Sequence, residues 1–105
     1  MFSRLGGIAV PDVAADVVSS ATAVPFISQA GARVWKTAGS GTSFNVYECD
    51  EETGTYVQCY DSSGSAISID LSSGGSVFVS ADLFPARYIK FVGGTAATLT
   101  VVLKP

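Results

Sequence analysis

The chain has 105 residues, enough for one domain with its own hydrophobic core but too few for two. Only 14% of the residues are charged, against about 25% in an average soluble domain, and the formal net charge is −3. No stretch approaches the roughly 20 apolar residues that a membrane-spanning helix requires. The composition predicts a domain whose surface is largely covered by protein neighbours, with an unusually apolar monomer as the alternative.

The charged residues are unevenly distributed along the chain. Residues 37–86 include seven acidic residues and no Lys or Arg, and all six basic residues lie outside this segment. Nucleic-acid binding requires clustered Lys and Arg, so the sequence predicts no nucleic-acid partner. The acidic segment is interpreted as a solvated surface or, alternatively, as a face that meets a basic neighbour.

Residues 1–23 differ from the rest of the chain. They are rich in small residues, and Gly6-Gly7 and Pro11 interrupt any regular element, although Asp12 is expected to cap one short helical turn. The segment is interpreted as a frayed terminus or as a flexible arm that orders against another subunit, ahead of a domain at 24–105. The arm would make its contacts through apolar side chains that a solvated tail rarely carries: Phe2, Leu5, Ile8, Val10, Val13 and Val17.

From residue 24 onward, apolar and polar residues alternate with the period of two that is typical of half-buried β-strands. The alternation is clearest in TSFNVYEC (42–49) and SAISIDL (65–71), and two β-rich runs flank Gly93-Gly94. Turn residues recur about every 8 to 12 positions, which is typical of an antiparallel sandwich or barrel. The sequence therefore predicts an all-β, jelly-roll-like antiparallel β-sandwich of about eight short strands. The residues expected between its sheets are Trp35, Phe44, Val46, Val57, Ile67, Ile69, Val77, Val79, Ile89, Phe91, Leu99 and Val101.

No arrangement of residues in the sequence indicates catalysis. The chain has no His, the commonest general base, and it has neither a Gly-x-Ser-x-Gly elbow nor a phosphate-binding glycine loop. No set of Cys and His residues has the spacing of a metal site, and the acidic residues match no calcium-binding loop. We therefore expect a protein that is not an enzyme and that holds no cofactor or metal.

Two cysteines, Cys49 and Cys59, are placed symmetrically about Gly54. If a tight hairpin loop joined their strands, the two residues would lie directly opposite each other, close enough for a disulfide. A reduced pair is the default for a protein made in the cytoplasm, so the disulfide is the alternative.

Three tyrosines, Tyr47, Tyr56 and Tyr60, lie on the two strands that flank this hairpin. Exposed aromatic rings on a sheet can bind sugars, and these three would form a glycan platform on the face opposite Phe44. Ordinary pairing of tyrosines across strands, which stabilises a sheet by about 0.2–1 kcal/mol, is the default interpretation, and the glycan platform is the alternative.

The stretch ADLFPARYIKFVGGTAATLTVVLKP (81–105) resembles the C-terminal end of a group of small structural proteins of tailed phages and prophages. The segment VQCYDSSGSAISIDL (57–71) resembles their middle region, and the resemblance as a whole covers roughly residues 31–105. The positions of the C-terminal stretch that fit this group are Asp82, Phe84, the run 86–89, the run 94–97, Leu99 and Leu103.

The resemblance implies a β-sandwich virion component at the capsid surface, made in the host cytoplasm. A capsid decoration (cement) protein is the leading interpretation. Such a protein would bind the major capsid protein at capsomer junctions as an oligomer, most simply a homotrimer, and would stabilise the head by bridging subunits. A carbohydrate-binding or spacer module of a head fibre, tail or baseplate is the alternative. No membrane partner is expected in either role.

Overall fold

The computed structural model of the chain describes residues 8–27, 29–80 and 86–104. These residues form nine β-strands and no helix, so the described part of the chain has no helical segment able to cross a membrane. In chain order the strands are β1 (Ile8–Ala15), β2 (Val24–Pro25), β3 (Gly31–Gly39), β4 (Ser43–Cys49), β5 (Val57–Gln58), β6 (Ser68–Asp70), β7 (Ser76–Ser80), β8 (Tyr88–Val92) and β9 (Ala97–Lys104).

The strands form two antiparallel sheets. Sheet A has the order β1-β9-β3-β7, and sheet B has the order β2-β8-β4-β5, with β6 also paired to β4. The pairs are nested along the chain, because β1 pairs with β9, β2 with β8, β3 with β7, and β4 with β5 and β6. Such nesting arises when one long hairpin is rolled into two sheets, which is the jelly-roll arrangement. The predicted all-β sandwich is thus confirmed.

The inner faces of the two sheets share one hydrophobic core. Among the described residues, no polar or charged residue is buried. Truncation of a fully buried aromatic residue such as Phe91 to Ala should cost about 3–5 kcal/mol, because the surrounding strands cannot collapse into the space. The largest fully buried side chains are Phe26, Phe44, Phe91, Ile89, Leu99, Val13, Val24, Val34, Val46 and Val101.

Two of the residues predicted for the core lie on the outside. Trp35 is 36% exposed and Val57 is 57% exposed, whereas their neighbours Val34 and Tyr56 are buried. Adjacent residues of a strand point to opposite faces, so only one of Val34 and Trp35 in β3 can enter the core. The pairing of Val34 with the buried Val101 fixes the choice in β3 and turns Trp35 outward.

The interpretation of residues 1–23 as an arm is wrong for residues 8–15, because they form β1 at the edge of sheet A. Ile8 lies opposite Leu103, and a β-bulge interrupts the pairing with β9 between Val10 and Val13. The predicted helical turn after Asp12 is absent, since Asp12 lies in this bulge with a φ of 57°. The predicted domain boundary at residue 24 is therefore too late.

The connections between strands gather at two ends of the sandwich. We call one the glycine-serine end and the other the acidic end. The glycine-serine end is made by residues 16–23, 40–42, 71–75 and 93–96. The described residues of the acidic end are 26–27, 29–30, 50–56 and 86–87, together with the adjoining ends of the strands, which include Ile8 and Glu48.

Candidate functional site

The acidic end is dominated by the hairpin between β4 and β5. Four carboxylates lie within five consecutive residues there: Glu48, Asp50, Glu51 and Glu52. The hairpin is held by the Tyr56 hydroxyl, which donates a hydrogen bond of 2.8 Å to the carbonyl oxygen of Glu52. The Gly54 N–H donates to the carbonyl oxygen of Glu51 at 3.4 Å. These bonds present the carboxylates on an ordered loop.

An open groove of about 420 Å³ lies beside this hairpin. Acidic residues and the cationic Arg87 both line it, so the groove offers both charges beside the apolar side chains of Val57 and Ala86. The groove is lined by Glu48, Cys49, Asp50, Thr55, Val57, Ala86 and Arg87.

Exposed apolar side chains accompany the charges at the acidic end. Val57 is 57% exposed beside the groove, Ile27 is 50% exposed in the β2–β3 connection, and Ile8 is 54% exposed at the start of β1. A polar rim combined with exposed apolar side chains is typical of a surface that binds another protein.

The glycan platform, the alternative to ordinary pairing of the tyrosines, is not assembled. Tyr56 is buried with its hydroxyl bonded within the hairpin, and burial is the main reason that the pKa of Tyr56 is raised. Tyr60 is 58% exposed, but it lies on a separate small hairpin, where it bridges to Ala66. Tyr47 is half-buried on β4. The three rings therefore do not present one common stacking surface.

Lys90 connects two distant segments over sheet B, a role that the sequence did not indicate. Its Nζ donates a hydrogen bond of 2.8 Å to the carbonyl oxygen of Val18 and lies 4.4 Å from the centre of the Tyr56 ring. A cation over an aromatic face stabilises the arrangement by about 0.5–1 kcal/mol at a partly exposed site. No local pattern predicts this contact, because Val18 and Tyr56 are brought together only by the tertiary fold.

No disulfide joins Cys49 and Cys59, and the register of the hairpin explains why. Glu48 lies opposite Val57, so the position opposite Cys49 is Tyr56 rather than Cys59. Both cysteines are free. The Cys59 thiol is buried, and its pKa is raised to about 12 by that burial and by the neighbouring charge and hydrogen bond of Glu48.

The residues proposed for the arm have different environments. Val13 is fully buried in the protein's own core and cannot contact another subunit, and Val10 is partly buried against that core. Ile8 at the acidic end and Val17 at the glycine-serine end are more than half exposed. Phe2 and Leu5 lie outside the described residues.

Several carboxylates outside the acidic end stabilise turns. Asp61 Oδ1 accepts hydrogen bonds from the Ser63 N–H, the Ser63 hydroxyl and the Ser65 N–H, at 2.7–2.9 Å. These bonds favour the ionised carboxylate and lower the pKa of Asp61. In the part of the chain that the structure describes, no three His, Cys, Asp or Glu residues are close enough to hold a metal ion together.

The acidic end is therefore the candidate site, and its chemistry is that of a binding surface: fixed negative charge, one facing cation and exposed apolar side chains. No family model, curated protein or solved structure matches the chain.

Proposed function

We propose that the protein is a structural protein of a phage virion, a capsid decoration protein that binds the major capsid protein at capsomer junctions and stabilises the head. The observation that carries the proposal is the acidic end, where an ordered hairpin with four carboxylates lies beside exposed apolar side chains. The resemblance of the C-terminal stretch to small virion proteins supports the same role.

The acidic end fits a basic, partly apolar partner surface. Fixed carboxylates steer a positively charged partner and set its orientation, whereas the apolar side chains supply contact area that is removed from water on binding. Val57 and Ile27 are the side chains for this apolar contact. The decoration protein would bridge subunits through the binding energy of this surface alone.

The start of β1 supports contact at the same end. Ile8 pairs with Leu103 and is more than half exposed, so the chain enters the sandwich at the acidic end. Truncation of residues 1–7 should lower occupancy on the capsid while the fold is retained.

The first test is the location of the protein. Particles from cells that carry the gene are purified on a density gradient and probed with an antibody against the recombinant protein. We expect the protein to sediment with the heads and to label the capsid surface in immuno-electron microscopy. Its absence from purified particles would contradict the proposal, and labelling confined to the tail would favour the spacer role instead.

The second test places the contact at the acidic end. The double variant Glu51→Gln/Glu52→Gln removes two negative charges there, and it should lower capsid occupancy about tenfold, which corresponds to about 1.4 kcal/mol. The matched control, Ser19→Lys/Ser73→Lys, makes the same net change of charge in exposed turns at the glycine-serine end. An equal loss of binding in both variants would show that overall charge, and not the acidic end, controls attachment.

Carbohydrate binding is not favoured by any arrangement in the described residues. The three tyrosines on which that alternative depended lie in separate environments, and one of them is buried.

A further inference from the structure

Sheet edges carry unpaired N–H and C=O groups, and proteins usually protect them against pairing with another chain. Three of the four edges in the described part of this sandwich are protected. β1 contains Pro11 and a bulge at Asp12, and β2 has only two residues, one of which is Pro25. The edge made by β5 and β6 is interrupted by the excursion 59–67.

The fourth edge, β7, has none of these protections. It is five residues long and contains no Pro, no Gly and no charged residue. Its pairing with β3 is continuous from Trp35 opposite Ser76 to Gly31 opposite Ser80, without a bulge. Within the described residues, β7 pairs with β3 alone, so alternate residues of β7 direct their N–H and C=O groups away from sheet A.

The sequence of β7 is a palindrome. Ser76-Val77-Phe78-Val79-Ser80 reads the same in both directions. If two copies pair antiparallel about Phe78, each Val77 lies opposite Val79 of the other copy, and each Ser76 lies opposite Ser80. Val79 is buried and Val77 is partly buried against the core, so the valines would extend the two cores across the junction.

We propose that β7 pairs with β7 of a second copy of this chain about a two-fold axis at Phe78. The two four-stranded A sheets then form one continuous sheet of twice that width. A self-complementary contact closes on itself, so this pairing produces a dimer. In this pairing every residue of β7 lies opposite a residue of the same type in the other copy. A charged residue would therefore face a like charge, and β7 contains none.

The two-fold contact is independent of the virion role. The homotrimer expected from the resemblance requires a different contact, because an isologous edge pairing joins only two chains. Self-association of the purified protein and attachment to capsids are therefore measured separately. A negative result in one measurement does not contradict the proposal that the other measurement tests.

Site-directed cross-linking tests the register. In a Cys49→Ser background, Phe78→Cys places two thiols directly opposite each other, at a separation of about 4.5–5.5 Å between Cα atoms. The control Ser76→Cys places its two thiols about 14 Å apart along the paired strands, too far for a disulfide. We expect mild oxidation to give a covalent dimer for Phe78→Cys and none for Ser76→Cys.

A second cross-linking variant keeps the test valid if replacement of Phe78 impairs folding. The double variant Ser76→Cys/Ser80→Cys aligns each new cysteine with its counterpart in the other chain and should also cross-link. A covalent dimer of the single variant Ser76→Cys would overturn the proposal. So would the absence of a covalent dimer in both Phe78→Cys and Ser76→Cys/Ser80→Cys, provided that these proteins are shown to be folded.

The oligomeric state is measured by light scattering over a concentration series. The wild-type chain should approach twice its mass of 10.8 kDa, and Ser76→Lys/Ser80→Lys should remain monomeric, because charged side chains block strand addition. A wild-type monomer at all concentrations, a trimer, or a dimer that the lysine substitutions do not affect would each overturn the β7 pairing.

Discussion

The two ends of the sandwich are closed in different ways. At the glycine-serine end, backbone contacts backbone: Gly41 lies against the Thr95 carbonyl group, and Gly93 lies against the Ser43 carbonyl oxygen, which would be 2.9 Å from an added Cβ. At the acidic end, side chains close the hairpin, chiefly through the Tyr56 hydroxyl.

This difference between the two ends indicates where residues can be substituted without loss of the fold. An end built from close backbone contacts accepts few substitutions, because any side chain at those glycines forces strands apart. An end closed by side chains tolerates changes in its exposed residues, which are therefore available for recognition. The charges and exposed apolar side chains at the acidic end agree with this division.

The largest expected effect compares a glycine at each end. Gly41→Ala places a methyl group against the Thr95 carbonyl group and should lower the free energy of unfolding by about 3 kcal/mol. Gly54→Ala meets only the Cys49 sulfur, at 2.5 Å, and that side chain can rotate away, so the cost should be about 1 kcal/mol or less. Urea unfolding measures both, and equal costs would contradict the proposed difference between the ends.

The next largest effect is the pH dependence of stability that arises from Cys59, a buried residue next to Glu48. Its pKa is raised from 9.0 to about 12 in the folded protein, whereas the unfolded thiol ionises near its ordinary value. The neutral thiol therefore favours the folded state fully below pH 9.0, and this contribution is lost as the pH rises towards about 12.

The free energy of unfolding should consequently fall across this pH range more steeply in the wild type than in Cys59→Ala. Both proteins retain the same tyrosines, so the difference between their slopes isolates the thiol. Parallel slopes would show that Cys59 is accessible to solvent in the folded protein.

Tyr56→Phe tests the side-chain closure of the acidic end directly. Loss of the hydrogen bond to the Glu52 carbonyl group should cost about 1 kcal/mol, as measured by thermal or urea unfolding. Tyr60→Phe is the matched control, because Tyr60 is 58% exposed and should show no measurable change. Capsid attachment should weaken in Tyr56→Phe but not in Tyr60→Phe, because only the loss of the Tyr56 hydroxyl releases the hairpin that carries the carboxylates.

The smallest effect lies at the glycine-serine end and depends on low pH. The Ser72 N–H donates to Asp70 Oδ1 at 2.9 Å, and hydrogen bonds from Ser72 lower the pKa of Asp70 below its ordinary 3.8. The ionised carboxylate contributes to stability above that ordinary value, and the contribution is lost as the pH falls through the lower, folded-state pKa. Asp70→Asn should therefore be slightly less stable than the wild type at neutral pH and should approach it in strong acid.

The strands after residue 24 could be predicted because alternation and turn residues are local signals. β1 was missed because Pro11 was interpreted as a break, although an edge strand tolerates Pro at a bulge. The outward position of Trp35 depends on the pairing of β3 with β9, far along the chain, which a single strand does not reveal. The symmetric spacing of the cysteines about Gly54 does not give a disulfide, because β4 and β5 pair in a shifted register that places Tyr56, rather than Cys59, opposite Cys49.

The position of β9 between β1 and β3 has a consequence for synthesis on the ribosome. Residues 97–104 supply the central partner of sheet A, so β1 has no strand to pair with until they emerge. β3 and β7 can pair earlier, but their apolar face stays uncovered during that interval. Sheet A therefore cannot be completed until residues 97–104 have left the ribosome, and a nascent chain stalled before residue 97 should be bound by chaperones and degraded readily by proteases.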